Sequence, residues 1–316
     1  MEKRSDVYSA IDLGTNACRL TIAANVDGRV RILDTFSRIT QFGENLHTTG
    51  VLSQKAMERG IKTLKECAKR IEQYEIKKSL YVATQACRSA KNAPEFIRLV
   101  KEETGLDLKI ISAEREIYFS TMACIDIMDS KYKYGIVFDI GGGSTEISWF
   151  ENRYHSKNID MIDFISVPYG FITIADPDDN KIKEAKRQFI HQEILKFFNK
   201  NEIFKHISKC DVQMIGVSGT INSLVNILLK SETYYGQLVH GFLLRVEDLN
   251  RMLDHLLNIC ITEDEDIHFV ANQKQKYLVD SAIILRTIHS IFYLPIAAAD
   301  RGVRDGIITY LIRDKR

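Results

Sequence analysis

Two stretches of the chain repeat one pattern in the same order. Ala10-Ile11-Asp12-Leu13-Gly14-Thr15-Asn16 lies near the start and Val137-Phe138-Asp139-Ile140-Gly141-Gly142-Gly143-Ser144-Thr145 near the middle. Each is an apolar run ending in Asp, one more apolar residue, a turn of glycine and small polar residues, and a second β-prone run, which predicts strand, tight turn and strand. A single offset that places Asp12 on Asp139 also places Gly14 on Gly141 and Leu20 on Ile147, and sets Arg19 opposite Glu146. Such a repeat predicts two similar lobes with a ligand cleft between them. The turn residues are expected to adopt φ > 0 and bring backbone N–H groups close to an anion, while each Asp holds a cation directly or through water. Two facing hairpins of this kind would clamp a phosphate chain and its metal.

The 316-residue length exceeds what one core usually carries and agrees with two lobes. A net charge of +1 gives no global pull toward nucleic acid or membrane, so neither is expected as a partner, and a polyanion would have to be held locally. The start reaches Asp12 without an apolar signal region, and the apolar stretch Tyr277 to Ala299 is broken by Asp280, Arg286, His289 and Pro295, which argues against a membrane span. The six cysteines (Cys18, Cys67, Cys87, Cys124, Cys210, Cys260) form no C-x-x-C pair and suit a reducing compartment, so a cytoplasmic location is expected.

Along the chain the patterns predict a β-meander (Val7–Ile11, Cys18–Ala24, Val30–Phe36, with an Asp27-Gly28 turn) and a helix capped by Ser53 that runs to about Tyr74. A strand at Leu80–Ala83, a helix with Pro94 in its first turn and Gly105 past its end, a strand at Leu108–Ile111 and a helix from Glu114 to about Met128 follow. The second half repeats this plan with helical insertions: strands from Tyr134 to Asp139, on to Phe150 and from Ile159 to Val167, a helix Lys181–Lys200, strand Val212–Val217, Gly219-Thr220 opening a helix, and strand Ile296–Ala299. The expected class is α/β, two duplicated lobes each with a mixed sheet and flanking helices. Residues 1–126 would form the first lobe, joined by a C-terminal helix at 302–316, and residues 127–301 the second.

IDLGTNACRL, FDIGGGSTE, VSGT and ADRGVRDGI occur in the order found in the exopolyphosphatase/guanosine pentaphosphate phosphohydrolase family, and over nearly its whole length the chain resembles that family. The family belongs to the actin, hexokinase and chaperone-ATPase superfamily, so the resemblance implies actin-like (ribonuclease H-like) lobes with the active site in the interdomain cleft. It also implies a Mg²⁺-dependent phosphoanhydride hydrolase that removes terminal phosphate from polyphosphate or converts guanosine pentaphosphate to the tetraphosphate, and a homodimer. ATQACR (Ala83–Arg88) resembles the family's second anion-contacting segment. ISAEREI (Ile111–Ile117) resembles the segment carrying its catalytic glutamate, which Glu116 matches. Ala113, Arg115 and Ile117 depart from many relatives there, and Arg115 beside the base is a position that could alter substrate preference. Longer relatives carry a further C-terminal helical domain, so processive action on long polymers is not implied.

Removing a terminal phosphoryl group needs its charge neutralised, a water aligned and a group to orient or deprotonate that water. The backbone at Gly14, Thr15 and Asn16 and at Gly141, Gly142, Gly143 and Ser144 is expected to face phosphate oxygens. Asp12 and Asp139, at strand ends, are the expected Mg²⁺ positions. Glu146 either adds a water-mediated metal contact or is a solvent-facing strand residue. Arg19, Arg88 and Arg304 are candidates for pairing with phosphate oxygens, with surface ion pairs as the alternative. Ser218, Gly219 and Thr220 read as a strand-to-helix anion turn. Lys181, Lys183, Lys186, Lys196, Lys200, Lys205 and Lys209 with Arg187 fit a solvated helix face better than a polyanion guide. His240 and His289 read as structural or surface residues, and Trp149 as core. Two other functions use the same hairpins: a superfamily kinase passing a nucleotide phosphate to a small acceptor, and a nucleotide-dependent assembly or binding protein. A junction glutamate favours hydrolysis over both.

Overall fold

The computed structural model describes residues 6–153, 158–175, 179–230, 233–259 and 272–314; Cys260 lies outside them. The chain divides into two compact units, Met1–Ala123 with Gly302–Arg316, and Cys124–Arg301.

The first unit runs β1 (Val7–Leu13), β2 (Ala17–Val26), β3 (Arg29–Ile39), α1 (Leu46–Thr49), α2 (Gln54–Ile71), β4 (Ile76–Ala83), α3 (Gln85–Ser89), α4 (Ala93–Thr104), β5 (Leu108–Ile110) and α5 (Ala113–Met122). The second runs β6 (Tyr134–Ile140), β7 (Thr145–Arg153), β8 (Asn158–Val167), α6 (Asn180–Lys200), α7 (Ile203–Ile207), β9 (Val212–Val217), α8 (Gly219–Leu228), α9 (Gly236–Val239), β10 (Leu243–Leu244), α10 (Val246–Ile259), α11 (Asn272–Phe292) and β11 (Ile296–Ala299). The chain then returns to the first unit as α12 (Val303–Arg313).

The first sheet has strand order β3-β2-β1-β4-β5 and the second β10-β11-β9-β6-β7-β8. Read from the meander inward, the second repeats the first strand for strand and adds β10 at one edge. In both, an antiparallel hairpin is followed by parallel pairing to the next strand, β1 with β4 and β6 with β9. Because side chains alternate across a strand, β1 sends Ile11 and Leu13 into one core with Leu64 and Phe96, and Tyr8 and Ala10 into another with Phe119, Ile307 and Leu311. The sheet is therefore covered on both faces, by α2 and α4 on one and by α5 and α12 on the other.

The helix starts follow the capping residues. Ser53 Oγ accepts from Ala56 N, Ser112 Oγ from Arg115 N, Asp179 from the amides of Lys181 and Ile182, and Ser218 Oγ from Ile221 N. One predicted element is shorter than expected. The helix drawn to Met128 ends at Met122, and a single 3₁₀ turn over Ile125–Ile127 follows. Asp126 in that turn is drawn sideways onto Arg301 and His240, which competes with continued winding. Trp149 is buried. No helix among the described residues is long and apolar enough to cross a membrane.

Candidate functional site

Each hairpin turn is built the same way. Gly14 N donates to Ala17 O at 2.9 Å, and Gly141 N donates to Ser144 O at 3.0 Å. The strand register is equally duplicated, with Asp12 opposite Arg19 and Asp139 opposite Glu146. The backbone does not reach this shape through the left-handed region: among the described residues the glycines with positive φ are Gly28, Gly50, Gly105 and Gly241, and none belongs to either turn. The expectation of φ > 0 is thus corrected. Close approach is what favours a small residue, since a Cβ at Gly141 would lie 3.2 Å from the Ser144 carbonyl.

A following segment holds the carbonyl side of each turn. Asn16 O accepts from Thr40 N and Gln41 N at 2.8 and 3.0 Å, and Thr15 O accepts from Gly43 N at 2.8 Å. In the second unit Gly141 O accepts from Phe171 N at 3.0 Å, Gly142 O from Ile172 N at 2.9 Å, and Gly143 O from Thr173 Oγ1 at 3.3 Å. Among the described residues the amides of Thr15, Asn16, Gly142, Gly143 and Ser144 donate to no protein acceptor. Carbonyls satisfied and amides left over make a lip of partial positive charge, the arrangement anion-binding nests use.

Gly43 and Gly170 were not singled out by the sequence reading. A Cβ at Gly43 would fall 2.3 Å from Thr15 Cγ2, and one at Gly170 would fall 2.2 Å from Gly141 O. Both glycines let the supporting segment press against its turn. The signal was available: the offset relating the two hairpins also places Gly43 on Gly170.

Asp12 is the penultimate residue of β1 and is buried; burial pushes its carboxyl above the ordinary value, Arg19 and Arg304 pull it back, and Asp305 pushes it up again. Arg19 and Arg304 thus belong to the electrostatic surroundings of Asp12, and α12 brings Arg304 there from the far end of the chain. Asn16 Oδ1 is buried with no hydrogen-bond partner. A buried carboxylate and a lone amide oxygen are hard donors of the kind Mg²⁺ takes. Among the described residues no cluster of three or more His, Cys, Asp or Glu forms a closed cage, which a Mg²⁺ shared with substrate phosphates and water does not require. Glu146 is not solvent-facing: it is 1% exposed, and its Oε1 accepts from Ser166 Oγ on β8 at 2.9 Å.

Glu116 stands in the first turn of α5, where Nη1 of Arg88 donates to its Oε2 at 2.6 Å. Burial pushes the neighbouring Cys87 thiol up to about 12, which removes it as a nucleophile. In the second unit Ser218 Oγ accepts from Ile221 N as the cap of α8, Gly219 has open space around it, and Thr220 is buried. The basic run is largely neutralised: Lys183 pairs with Asp280, Arg187 with Glu184, Lys196 with Glu193, Lys200 with Asp163 and Lys205 with Glu202. It is no open cationic rail. His289 is buried and His240 bridges to Asp126.

Twin mixed sheets, each carrying an acidic strand end beside an amide-lined turn, define an α/β protein of actin-like fold. The chain belongs to the Ppx/GppA phosphatase family, whose model matches residues 21–314. Among solved structures it is similar to the Ppx/GppA family member of Aquifex aeolicus, at 26% identity over 98% of this chain and 99% of that one, with a TM-score of 0.77. It shares the fold of an exopolyphosphatase from Cytophaga hutchinsonii, at 21% identity over 97% and 98% of the two chains and a TM-score of 0.79. Among curated proteins it is 30% identical over 304 residues to a bifunctional 3-dehydroquinate synthase/phosphatase of Fusobacterium nucleatum subsp. nucleatum, covering 92% of this chain and 44% of that relative. The chain therefore spans less than half the length of that protein.

Proposed function

We propose that this chain is a Mg²⁺-dependent phosphoanhydride hydrolase that releases terminal phosphate from inorganic polyphosphate or converts guanosine pentaphosphate to the tetraphosphate. The observation that carries the reading is the pair of turns whose carbonyls are taken and whose amides are not. Amides fixed in this way bind phosphate oxygens without the cost of reorganising at the moment of reaction. In this reading each turn binds phosphate oxygens, with Arg19 and Arg304 adding charge beside the turn of the first unit and Ser218, Gly219 and Thr220 belonging to the second.

The residues that would hold Mg²⁺ are Asp12 with the Asn16 amide oxygen in the first unit, and Asp139 and Glu146 in the second. When bound, the ion would neutralise charge on the departing phosphate oxygens. Glu116 accepts a proton from the attacking water as that water adds to the terminal phosphorus and the bridging P–O bond breaks, so that the shortened phosphate chain leaves with the bridging oxygen. Its place in the first turn of a helix suits a group that stays ionised until then.

The test is phosphate release by the purified protein with Mg²⁺ from long-chain polyphosphate, short-chain polyphosphate, guanosine pentaphosphate and ATP, beside Glu116→Ala. The variant is expected to stay folded and bind substrate while turnover drops by ~10² to 10⁴. Equal turnover in the two proteins would remove Glu116 from the chemistry. Dependence on a small acceptor for phosphate transfer would indicate a kinase instead.

A further inference from the structure

Arg88 stands beside the candidate base in a manner that phosphate binding does not explain. Its Nη1 donates to Glu116 Oε2 at 2.6 Å and to the Ile111 carbonyl at 3.1 Å, while Nε and Nη2 both donate to Gln85 Oε1, at 3.1 and 2.8 Å. Both members of the ion pair are largely withdrawn from water, with side-chain exposures of 17% for Arg88 and 14% for Glu116. An arginine that grips phosphate presents an open fork to its ligand. Here Gln85 takes one edge of the fork, and the first turn of α5 takes the nitrogen at its tip.

These contacts continue a line of hydrogen bonds that starts at the first phosphate turn. Thr84 N donates to Leu13 O at 3.2 Å, tying the end of β4 to the residue after Asp12. Ile111 N donates to Ala83 O at 3.1 Å, tying the end of β5 to β4. Arg88, on the short helix that leaves β4, then bonds both the Ile111 carbonyl and the Glu116 carboxylate. A glutamate in the first turn of a helix otherwise has several rotamers open to it. The guanidinium selects one and references it to the strand ends that carry the turn.

We infer that Arg88 is a positioning residue: it holds the Glu116 carboxylate at a set place relative to the first phosphate turn and acts on the reaction through Glu116 rather than by binding substrate. This rests on the reading of Glu116 as the base. The two roles separate in kinetics. A phosphate ligand removed raises KM, whereas a base left to wander lowers kcat with binding intact. Lysine offers the charge without the fork, so it should restore only part of the loss.

The experiment measures kcat and KM for whichever of long-chain polyphosphate, tripolyphosphate, guanosine pentaphosphate and ATP the wild type turns over fastest with Mg²⁺. The proteins compared are Arg88→Met, Arg88→Lys, Gln85→Ala, Glu116→Ala and the Arg88→Met/Glu116→Ala double variant. Expected is a loss of kcat of about 100-fold in Arg88→Met with KM within about threefold, partial recovery in Arg88→Lys, and a loss of about three- to tenfold in Gln85→Ala. In the Glu116→Ala background, Arg88→Met should add less than about threefold, because the two residues act as a unit. A KM raised tenfold or more at unchanged kcat, or an equal loss in both backgrounds, overturns the inference. Should Arg88→Met fail to fold, Arg88→Lys and Gln85→Ala carry the same kcat-against-KM comparison. A wild type inactive on all four substrates, or Glu116→Ala as active as wild type, overturns the proposed function first, and is told apart because it is seen without any Arg88 variant.

Discussion

Asp126 shows how one side chain can have its environment set by residues far from it in sequence. It stands just inside the second unit, where Arg301 Nη1 approaches at 2.6 Å and His240 Nε2 at 3.3 Å. Burial pushes its carboxyl up, but the His240 hydrogen bond and the Arg301 charge outweigh that and hold it below the ordinary value. A carboxyl depressed in the folded state stabilises the protein above the unfolded-chain value of about 3.9 and loses that contribution as pH falls through the folded value. Since the side chain is about half exposed, Asp126→Asn is expected to cost no more than about 1 kcal/mol at pH 7. The cost should shrink below about pH 4. Urea unfolding of both proteins at pH 7 and at pH 3.5 checks this, and a cost that does not change with pH would show that the ion pair contributes nothing. At this scale the sequence was readable where chemistry is local. Asp12 at a strand end and Ser53 before a helix could be placed from neighbours alone. Glu146 could not, because alternation along β7 says which face it shares but not that Ser166 of the paired strand β8 stands beside it on that face.

The helix α5 reaches its place through one glycine of α12. A Cβ at Gly306 would fall 1.8 Å from the Phe119 carbonyl, so the two helices cross with backbone almost in contact. Val303, Ile307 and Ile308 of α12 pack beside that crossing with Phe119 and Val82. Gly306→Ala is therefore expected to push α12 outward, lower stability by about 1–3 kcal/mol and disturb the helix that carries Glu116. Thermal unfolding together with phosphate release measures both, and an unchanged melting temperature would show that the crossing yields freely. The pattern ADRGVRDGI marked this segment, yet the reason for its second glycine lies on α5, almost two hundred positions away. The same holds for Gly43 and Gly170. Their spacing from the turns was visible, but that each presses on a backbone was not, since close approach leaves no trace in composition or periodicity.

The first unit is completed by the last segment of the chain. Val303, Ile307, Ile308 and Leu311 are each at most 6% exposed, against Tyr8, Ala10, Ala23 and Phe119. Burying four aliphatic side chains is worth roughly 6–12 kcal/mol, comparable to the whole stability of a domain. Removing residues 302–316 is expected to leave a first unit that does not fold, read as loss of soluble protein and of a cooperative urea transition; a truncated chain that still unfolded cooperatively in both units would show that α12 is dispensable. The sequence by itself determined the duplication, the two Asp-bearing turns and most of the strands and helices, because these depend on periodicity, capping and the small size of turn residues, all local properties. Only the tertiary structure decided which amides stay unpaired, that Arg88 faces Glu116, that Glu146 is buried and that Arg304 approaches Asp12. Those outcomes depend on which distant backbone segment fills the space beside each group, and that is settled when the sheets and helices pack.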